Sequence, residues 1–236
     1  MKIKTNLHFH TKDDIEDKKG ASLVADHDLS EGLKKAKELG FQVLAVTCHN
    51  FVTDDEKYYK EADELGITLI RGIEKSVEKR DVLILNADKS AEKIETFQDL
   101  KRYKSGHPES FIIAPHPFFD AKHSLGEKLE ENADIFDAVE YSWFHFKFLN
   151  FNKKAEYFSK KHNIPVIATS DTHHLHKLNG SYAFLEAENN SLESVFKAIR
   201  ENKIENFSPP TKFWSGYTWR IIGKTFLNIL KHSKDD

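Results

Sequence analysis

The sequence predicts an α/β fold built on parallel strands, and three observations predict it. Short apolar runs of the buried-strand kind recur along the chain, and most lead into a stretch with helical spacing. Together they make roughly seven strand-then-helix units. The chain has 236 residues, 39% of them hydrophobic, which suits one large domain with a sizeable core. Right-handed crossovers between parallel strands build either a closed barrel or an open doubly wound sheet. The barrel is preferred here, because chemistry-bearing residues stand at many strand ends and a barrel mouth gathers such ends together.

Taken in order, Ile3 to His10 reads as the first strand. Alternation places His8 and His10 on one face and Leu7 and Phe9 on the other. Thr11 to Asp28 is polar with little periodicity, and reads as a functional loop or lid. Ser30 is the expected N-cap of a helix that carries Leu33, Ala36 and Leu39 and closes at Gly40. Gln42 to Thr47 is a near-continuous apolar strand ending in Cys48-His49-Asn50. Asp54 to Leu65 is a helix, Thr68 to Ile70 a strand that ends at Gly72-Ile73-Glu74, and Val77 to Asn86 a hairpin arm. Ser90 to Lys104 is a helix, and Phe111 to Ala114 a strand leading to Pro115-His116-Pro117. A shorter helix covers Ser124 to Asn132. Phe136 to Tyr141 is a strand and Asn150 to His162 a helix. Pro165 to Thr169 is a strand ending in Ser170-Asp171-Thr172-His173. Ser181 to Leu185 and Ser191 to Arg200 form the last strand and helix.

Composition narrows the function. With 35 basic and 38 acidic residues the net charge is −3, so no global basic field is present to track long nucleic acid. The one cysteine, Cys48, excludes an intrachain disulfide framework and suits a reducing cytoplasm. The opening residues run straight into a strand rather than an apolar leader, and no 18-residue apolar run occurs, so a cytoplasmic protein is expected.

Thirteen histidines are unusual, and many of them stand beside carboxylates at strand ends. His8, His10, His49, Glu74, His116, Asp171 and His173 are the candidate metal ligands. Imidazole mixed with carboxylate suits Zn2+, Mn2+ or Fe2+ better than Mg2+ or Ca2+. More ligands are offered than one tetrahedral ion can use, which points to two or three ions. Such ions, about 3.5–4 Å apart, activate water at neutral pH and steady the attacking and leaving oxygens at phosphorus. Glu74 is a natural bridge, one oxygen to each ion. Singly, each residue has a plainer reading: His49 or His116 as a hydrogen-bonded structural histidine, Glu74 as a surface residue, Asp171 as a helix cap. It is their joint occurrence that favours a metal site. His145 follows a strand and is a candidate proton donor or substrate contact. Lys12, Asn50 and Lys75 neighbour ligands and are candidate phosphate contacts, although such residues are more often merely exposed. His174 and His176 read as solvated loop residues, and His107, His123 and His162 as surface.

These segments together resemble the polymerase and histidinol phosphatase (PHP) family over about residues 2–200. His8-x-His10 looks like its first motif. Ala25-Asp26-His27-Asp28-Leu29-Ser30 is similar to its Ser-Asp-Gly-x-Leu-Ser segment, which puts an acidic ligand on Asp26. Because the loop before it is longer than usual, Asp13, Asp14 and His27 are rivals for that place. Thr47-Cys48-His49-Asn50 resembles Thr-Asp-His-Asn, and Gly72-Ile73-Glu74 resembles Gly-Val/Ile-Glu. Ala114-Pro115-His116-Pro117 is similar to Ala-His-Pro, and Ser170-Asp171-Thr172-His173 to Ser-Asp-x-His. The resemblance implies a distorted seven-stranded (β/α)7 TIM-like barrel over residues 1–208 that hydrolyses phosphate esters with two or three divalent ions. One ion would be held by His8, His10, Glu74 and Asp171, and a second by Asp26, His49 and His173. A third would use Glu74, His116 and a hairpin histidine. Catalysis would fall to Glu74, Asp171 and His173, on a small phosphorylated substrate such as a nucleotide, a histidinol phosphate-like monoester or an oligonucleotide end.

Two departures stand out. The hairpin histidine is missing, with Asp81-Val82-Leu83-Ile84-Leu85 in its place, so the third site is expected to lack a ligand. Cys48 stands where the family has aspartate. Residues 209–236 are basic and aromatic and read as an amphipathic helix. Docking on the barrel is preferred for it over a lipid surface or a partner groove. Two rival functions remain: a barrel amidohydrolase, which lacks a lysine ligand here, and a non-catalytic metal-stabilised binding module.

Overall fold

The computed structural model describes residues 1–14, 24–119 and 123–211. The expected helix beyond residue 211 and the middle of the polar loop lie outside the described residues. Among the described residues nine strands form one sheet: β1 (Lys2–Phe9), β2 (Val43–Val46), β3 (Thr68–Val77), β4 (Arg80–Leu85), β5 (Phe111–Ala114), β6 (Ala138–Tyr141), β7 (Val166–Ala168), β8 (Tyr182–Glu186) and β9 (Ile204–Phe207). Their order is β7-β6-β5-β4-β3-β2-β1-β8-β9. β1, β2 and β3 run parallel, as do β5, β6 and β7. β4 returns antiparallel between β3 and β5, and β8 and β9 add two antiparallel strands beside β1.

The two ends of this sheet meet. The Asn206 side chain in β9 accepts from the Ala168 amide at 2.7 Å and donates to the Val166 carbonyl at 2.9 Å, stitching β9 to β7. Beyond β7 the chain pairs with the end of β1, through His10 N to Thr172 O at 3.0 Å and Thr172 N to His8 O at 3.2 Å. The result is a TIM-like barrel of nine strands rather than seven. One added strand is the hairpin arm β4. The other, β9, carries the exposed polar pattern Ile-Glu-Asn-Phe and sends no apolar signal along the chain.

Six helices follow the strands among the described residues: α1 (Leu29–Glu38), α2 (Glu56–Glu64), α3 (Phe97–Gly106), α4 (Glu127–Glu131), α5 (Asn152–His162) and α6 (Leu192–Arg200). α1 is capped by Asp28 rather than Ser30. The Asp28 carboxylate accepts from Glu31 N at 2.9 Å while Glu31 accepts from Asp28 N at 2.8 Å, a reciprocal capping box. The stretch expected as one helix from Ser90 divides into a 3-10 turn over Lys89–Lys93 and α3, which Thr96 and Asp99 cap in the same way. Among the described residues no helix is long and apolar enough to cross a membrane.

Alternate strand residues sort into clusters. Ile3, Val43, Ile70, Leu83, Ile113, Ala138, Ile167 and Leu185 come from eight strands and meet in one cluster, which is therefore the barrel interior, with Val195 and Phe196 of α6 packed into it. Leu44 and Val46 face the other way under α1 and α2, and Val82, Ile84 and Val139 under α3 and α5. β1 breaks the alternation. Asn6 pairs with Leu44 and Phe9 with Val46, so β1 holds one extra residue there, a β-bulge. Leu7 accordingly joins the interior and Phe9 the outer cluster, instead of sharing a face as simple alternation requires. After the bulge His8 and His10 turn toward the interior, above Leu7.

Candidate metal centre

The site is built around Glu74 in β3, almost wholly buried. Its Oε2 lies 3.1 Å from His8 Nε2, 3.2 Å from His10 Nε2 and 3.2 Å from His49 Nε2. Its Oε1 lies 3.1 Å from His116 Nε2. Asp171 Oδ1 sits 3.5 Å from His8 Nε2, 3.4 Å from His10 Nε2 and 3.3 Å from His173 Nε2. The His10 ring stacks on His173 at 4.1 Å and on His49 at 4.5 Å between centroids. His8 stands near the end of β1, Glu74 lies in β3 beyond its parallel pairing with β2, and the others follow β1, β2, β5 or β7, so all project into one mouth of the barrel. Three of the turns that deliver them, at Asn50 (φ 53), His116 (φ 25) and Asp171 (φ 45), enter the left-handed region. That conformation is uncommon for residues with a Cβ, least so for Asn and Asp, and strained backbone of this kind concentrates at functional sites.

Charge explains how the cluster holds together. Burial opposes ionisation of Glu74, yet His8, His49, His10 and His116 hold its carboxyl well below the usual carboxylate range. Asp171 is likewise depressed against burial, by His8, His10 and His173. Burial opposes protonation of His8, but Glu74, Asp171 and Glu140 raise it to about 9. His10, His49 and His116 are also pushed up, against burial, with Asp14 or Glu74 the main opposing partner. Without a cation, the Glu74 carboxylate is balanced by the raised proton affinity of His8, His10, His49 and His116.

The donor set fits divalent ions. Four overlapping groups place one ligand atom per residue within 4.8 Å of one another: His8-His10-Glu74, His10-Asp14-His49, His10-Asp171-His173 and Glu74-Asp81-His116. His10 Nε2 is buried between Glu74 and Asp171, yet makes no hydrogen bond among the described residues. A nitrogen flanked by two carboxylate oxygens outside hydrogen-bonding geometry is the arrangement a shared cation produces.

Of the ligands read from the sequence, His8, His10, His49, Glu74, His116, Asp171 and His173 converge. Asp26 does not. Its half-exposed carboxylate takes His27 Nδ1 at 2.9 Å, His174 Nδ1 at 3.0 Å and the Leu175 amide, at the lip of the site. Its rival Asp14 reaches the cluster instead. Asp14 Oδ2 accepts from His49 N at 2.7 Å and lies 2.8 Å from His49 Nδ1 and 3.1 Å from His10 Nδ1. The longer loop carries the carboxylate inward four residues after His10, where the motif match pointed to Asp26. Asp81 also stands near the cluster. The hairpin position expected to lack a ligand turns this aspartate toward Glu74 and His116, and burial together with Glu74 pushes its carboxyl up to about 7. Cys48 is buried under α1, its thiol pushed up by burial.

The proposed substrate contacts are scattered. Lys12 is exposed and pairs with Asp28 at 3.1 Å. Asn50 accepts from Ser76 N at 3.0 Å and donates its backbone N–H to Glu74 O at 2.9 Å, joining the loop after β2 to β3. Lys75 is buried in β3 opposite Val82. His145 is buried and donates from Nε2 to the Ser208 carbonyl at 3.1 Å, while its own carbonyl takes the Thr211 amide at 2.7 Å. It anchors the chain leaving β9 rather than facing Glu74. One buried acid escaped the sequence reading altogether. Glu140, inside β6, accepts from His8 Nδ1 at 2.9 Å. A lone carboxylate between apolar residues at a strand's carboxyl end was its only signal.

The PHP domain model matches residues 7–157, and a PHP-associated model matches residues 150–204. The chain belongs to the PHP family. An uncharacterized protein of Methanocaldococcus jannaschii is 26% identical to this PHP chain over 144 residues, which is 54% of this chain and 75% of that one. A two-domain protein of Bacteroides vulgatus, said to contain a predicted PHP-like metal-dependent phosphoesterase, superposes with a TM-score of 0.61 at 15% identity over 88% of this chain. The PHP chain spans only 65% of the length of that protein. The lesion-specific endonuclease PfuEndoQ of Pyrococcus furiosus superposes with a TM-score of 0.63 at 16% identity, covering 87% of this chain and 58% of its own. At such identities the likeness to these structures is one of fold.

Proposed function

We propose that this PHP protein hydrolyses a small phosphate ester with two or three divalent ions held at the barrel mouth. One observation carries the reading: the Nε2 atoms of four histidines surround the two oxygens of a single buried glutamate, with Asp171 beside them. His8, His10, Glu74 and Asp171 would hold one ion, and His49, His173 and Asp14 a second. Glu74, Asp81 and His116 would hold a third, with Asp81 doing what the missing hairpin histidine does elsewhere in the family. Zn2+, Mn2+ and Fe2+ suit these mixed imidazole and carboxylate sets. Such ions, when bound, supply water activation and neutralise charge on the phosphoryl oxygens.

The chain's own groups do the rest. Glu74 keeps the histidines at fixed spacing. Asp171, ionised and 19% exposed at its side chain, faces the opening and can accept a hydrogen bond from an attacking water at Oδ1. The balanced charge of the chain favours a nucleotide, another phosphomonoester or an oligonucleotide end over long nucleic acid. Purified protein supplied with Mn2+ should hydrolyse p-nitrophenyl phosphate or its bis ester. His10→Ala and Asp171→Ala should each lower the rate by about 10³-fold, the several kcal/mol that such a centre supplies. Undiminished turnover in either variant would falsify the reading.

A further inference from the structure

We infer that Glu140 is a positioning residue, which fixes the tautomer of His8 from behind and strengthens it as a ligand. The inference rests on the metal-centre reading above. Ala138 belongs to the interior cluster and Val139 to the outer one, so strand alternation turns Glu140 inward, directly behind His8. Both side chains are fully buried, and the Glu140 Oε2 to His8 Nδ1 distance is 2.9 Å. The other ring nitrogen, Nε2, is the one that faces Glu74 at 3.1 Å and Asp171 at 3.5 Å. A neutral imidazole that donates Nδ1–H to a carboxylate must carry its lone pair on Nε2. The same hydrogen bond raises the basicity of that lone pair, which is how outer carboxylates act on metal-binding histidines generally.

Glu140 takes no direct part. It falls in none of the four groups of described residues that could share an ion, and its hydrogen bond to the centre goes to His8. Its second oxygen, Oε1, is buried with no hydrogen-bond partner among the described residues. A buried carboxylate left half-bonded is destabilising to the fold, so a structural role explains it poorly and a role toward His8 explains it well. His116 makes the contrast: its Nδ1 is buried and has no hydrogen-bond partner among the described residues. Asp14 differs again, since it lies within an ion-holding group itself.

The test uses the full chain with Glu140→Gln and Glu140→Leu. Gln keeps an acceptor of the same shape without the charge, and Leu removes the acceptor. Zn2+ affinity is measured by competition with a chelator, and the His8 ring N–H is followed by ¹⁵N-edited NMR in Zn2+-loaded protein. The wild type should show a slowly exchanging, far-downfield Nδ1–H on His8. Zn2+ affinity should fall about tenfold in the Gln variant and up to about a hundredfold in the Leu variant, with the Nδ1–H signal shifted upfield and then lost. Variants that bind Zn2+ within twofold of wild type, whatever their melting temperature, overturn the inference, as does a wild-type His8 protonated on Nε2. Neither readout needs turnover, so a missing hydrolase activity leaves them interpretable. A wild-type protein that binds no ion overturns the metal-centre reading as well, whereas ion-binding variants equal to wild type overturn this inference alone.

Discussion

The two halves of the barrel interior are equally buried and chemically opposite. At the N-terminal ends of the strands, Ile3, Val43, Ile70 and Phe111 pack with α6, and Phe111 stacks on Phe196 with ring centroids 4.6 Å apart. Toward the carboxyl ends of the strands, His8, His10, Glu74 and Glu140 are as fully enclosed, each at 0–1% exposure. Exclusion of water therefore does not separate core from site. The lower half is held by removing apolar area from water, worth roughly 25 cal/mol per Å². The upper half is held by reciprocal charge, and its groups are held ready for a cation by the half below.

The largest effect expected is at the upper half. Glu74→Gln should remove Mn2+-dependent hydrolysis by 10³-fold or about that, and abolish the rise in melting temperature that added metal gives the wild type. A retained metal-induced rise would mean the two halves are less distinct than the geometry implies. Phe111→Ala should act in the opposite sense. Urea unfolding should show a loss of about 3–5 kcal/mol, while the number of ions bound per folded molecule stays unchanged.

Acidity offers a third way to separate the halves. In metal-free protein His8 is raised from an ordinary 6.5 to about 9. Its contribution is thus complete below pH 6.5 and fades as pH climbs through 9. Chelator-treated protein should lose stability over that window, by an amount on the order of 3 kcal/mol from His8 alone. Metal-loaded protein should show the reverse trend, because the imidazoles must shed protons to bind an ion. Calorimetry at both ends of the window, with and without Mn2+, reads both slopes. Asp81→Asn should have a smaller consequence: elemental analysis should count one ion fewer, with the remaining ions in place. Asp28→Ala touches neither half. It should cost about 1 kcal/mol through the cap of α1, with kinetics unaltered.

Much of this was legible in the residues. Parallel strands announce themselves by runs such as Val43 to Val46, and the strand-end histidines by their neighbours. What stayed hidden depends on pairing across the sheet. Asp14 and Asp26 both lie in a polar loop whose path no local pattern sets, so only the fold decides which one reaches His49. Asn206 closes the barrel by a side chain, from a strand too exposed to register as one. Glu140 passed as part of an apolar run because its partner, His8, is far away along the chain. Asp81 was visible but read as an absence, since attention fell on the imidazole it replaces.

The extra residue in β1 has a further consequence for how the chain finds its fold. A slip of one position between β1 and β2 would thrust two imidazoles into the oily layer beneath α1 and drop a leucine among the carboxylates. Misaligned pairings are thereby penalised twice over, and the reactive layer doubles as a proofreader of assembly.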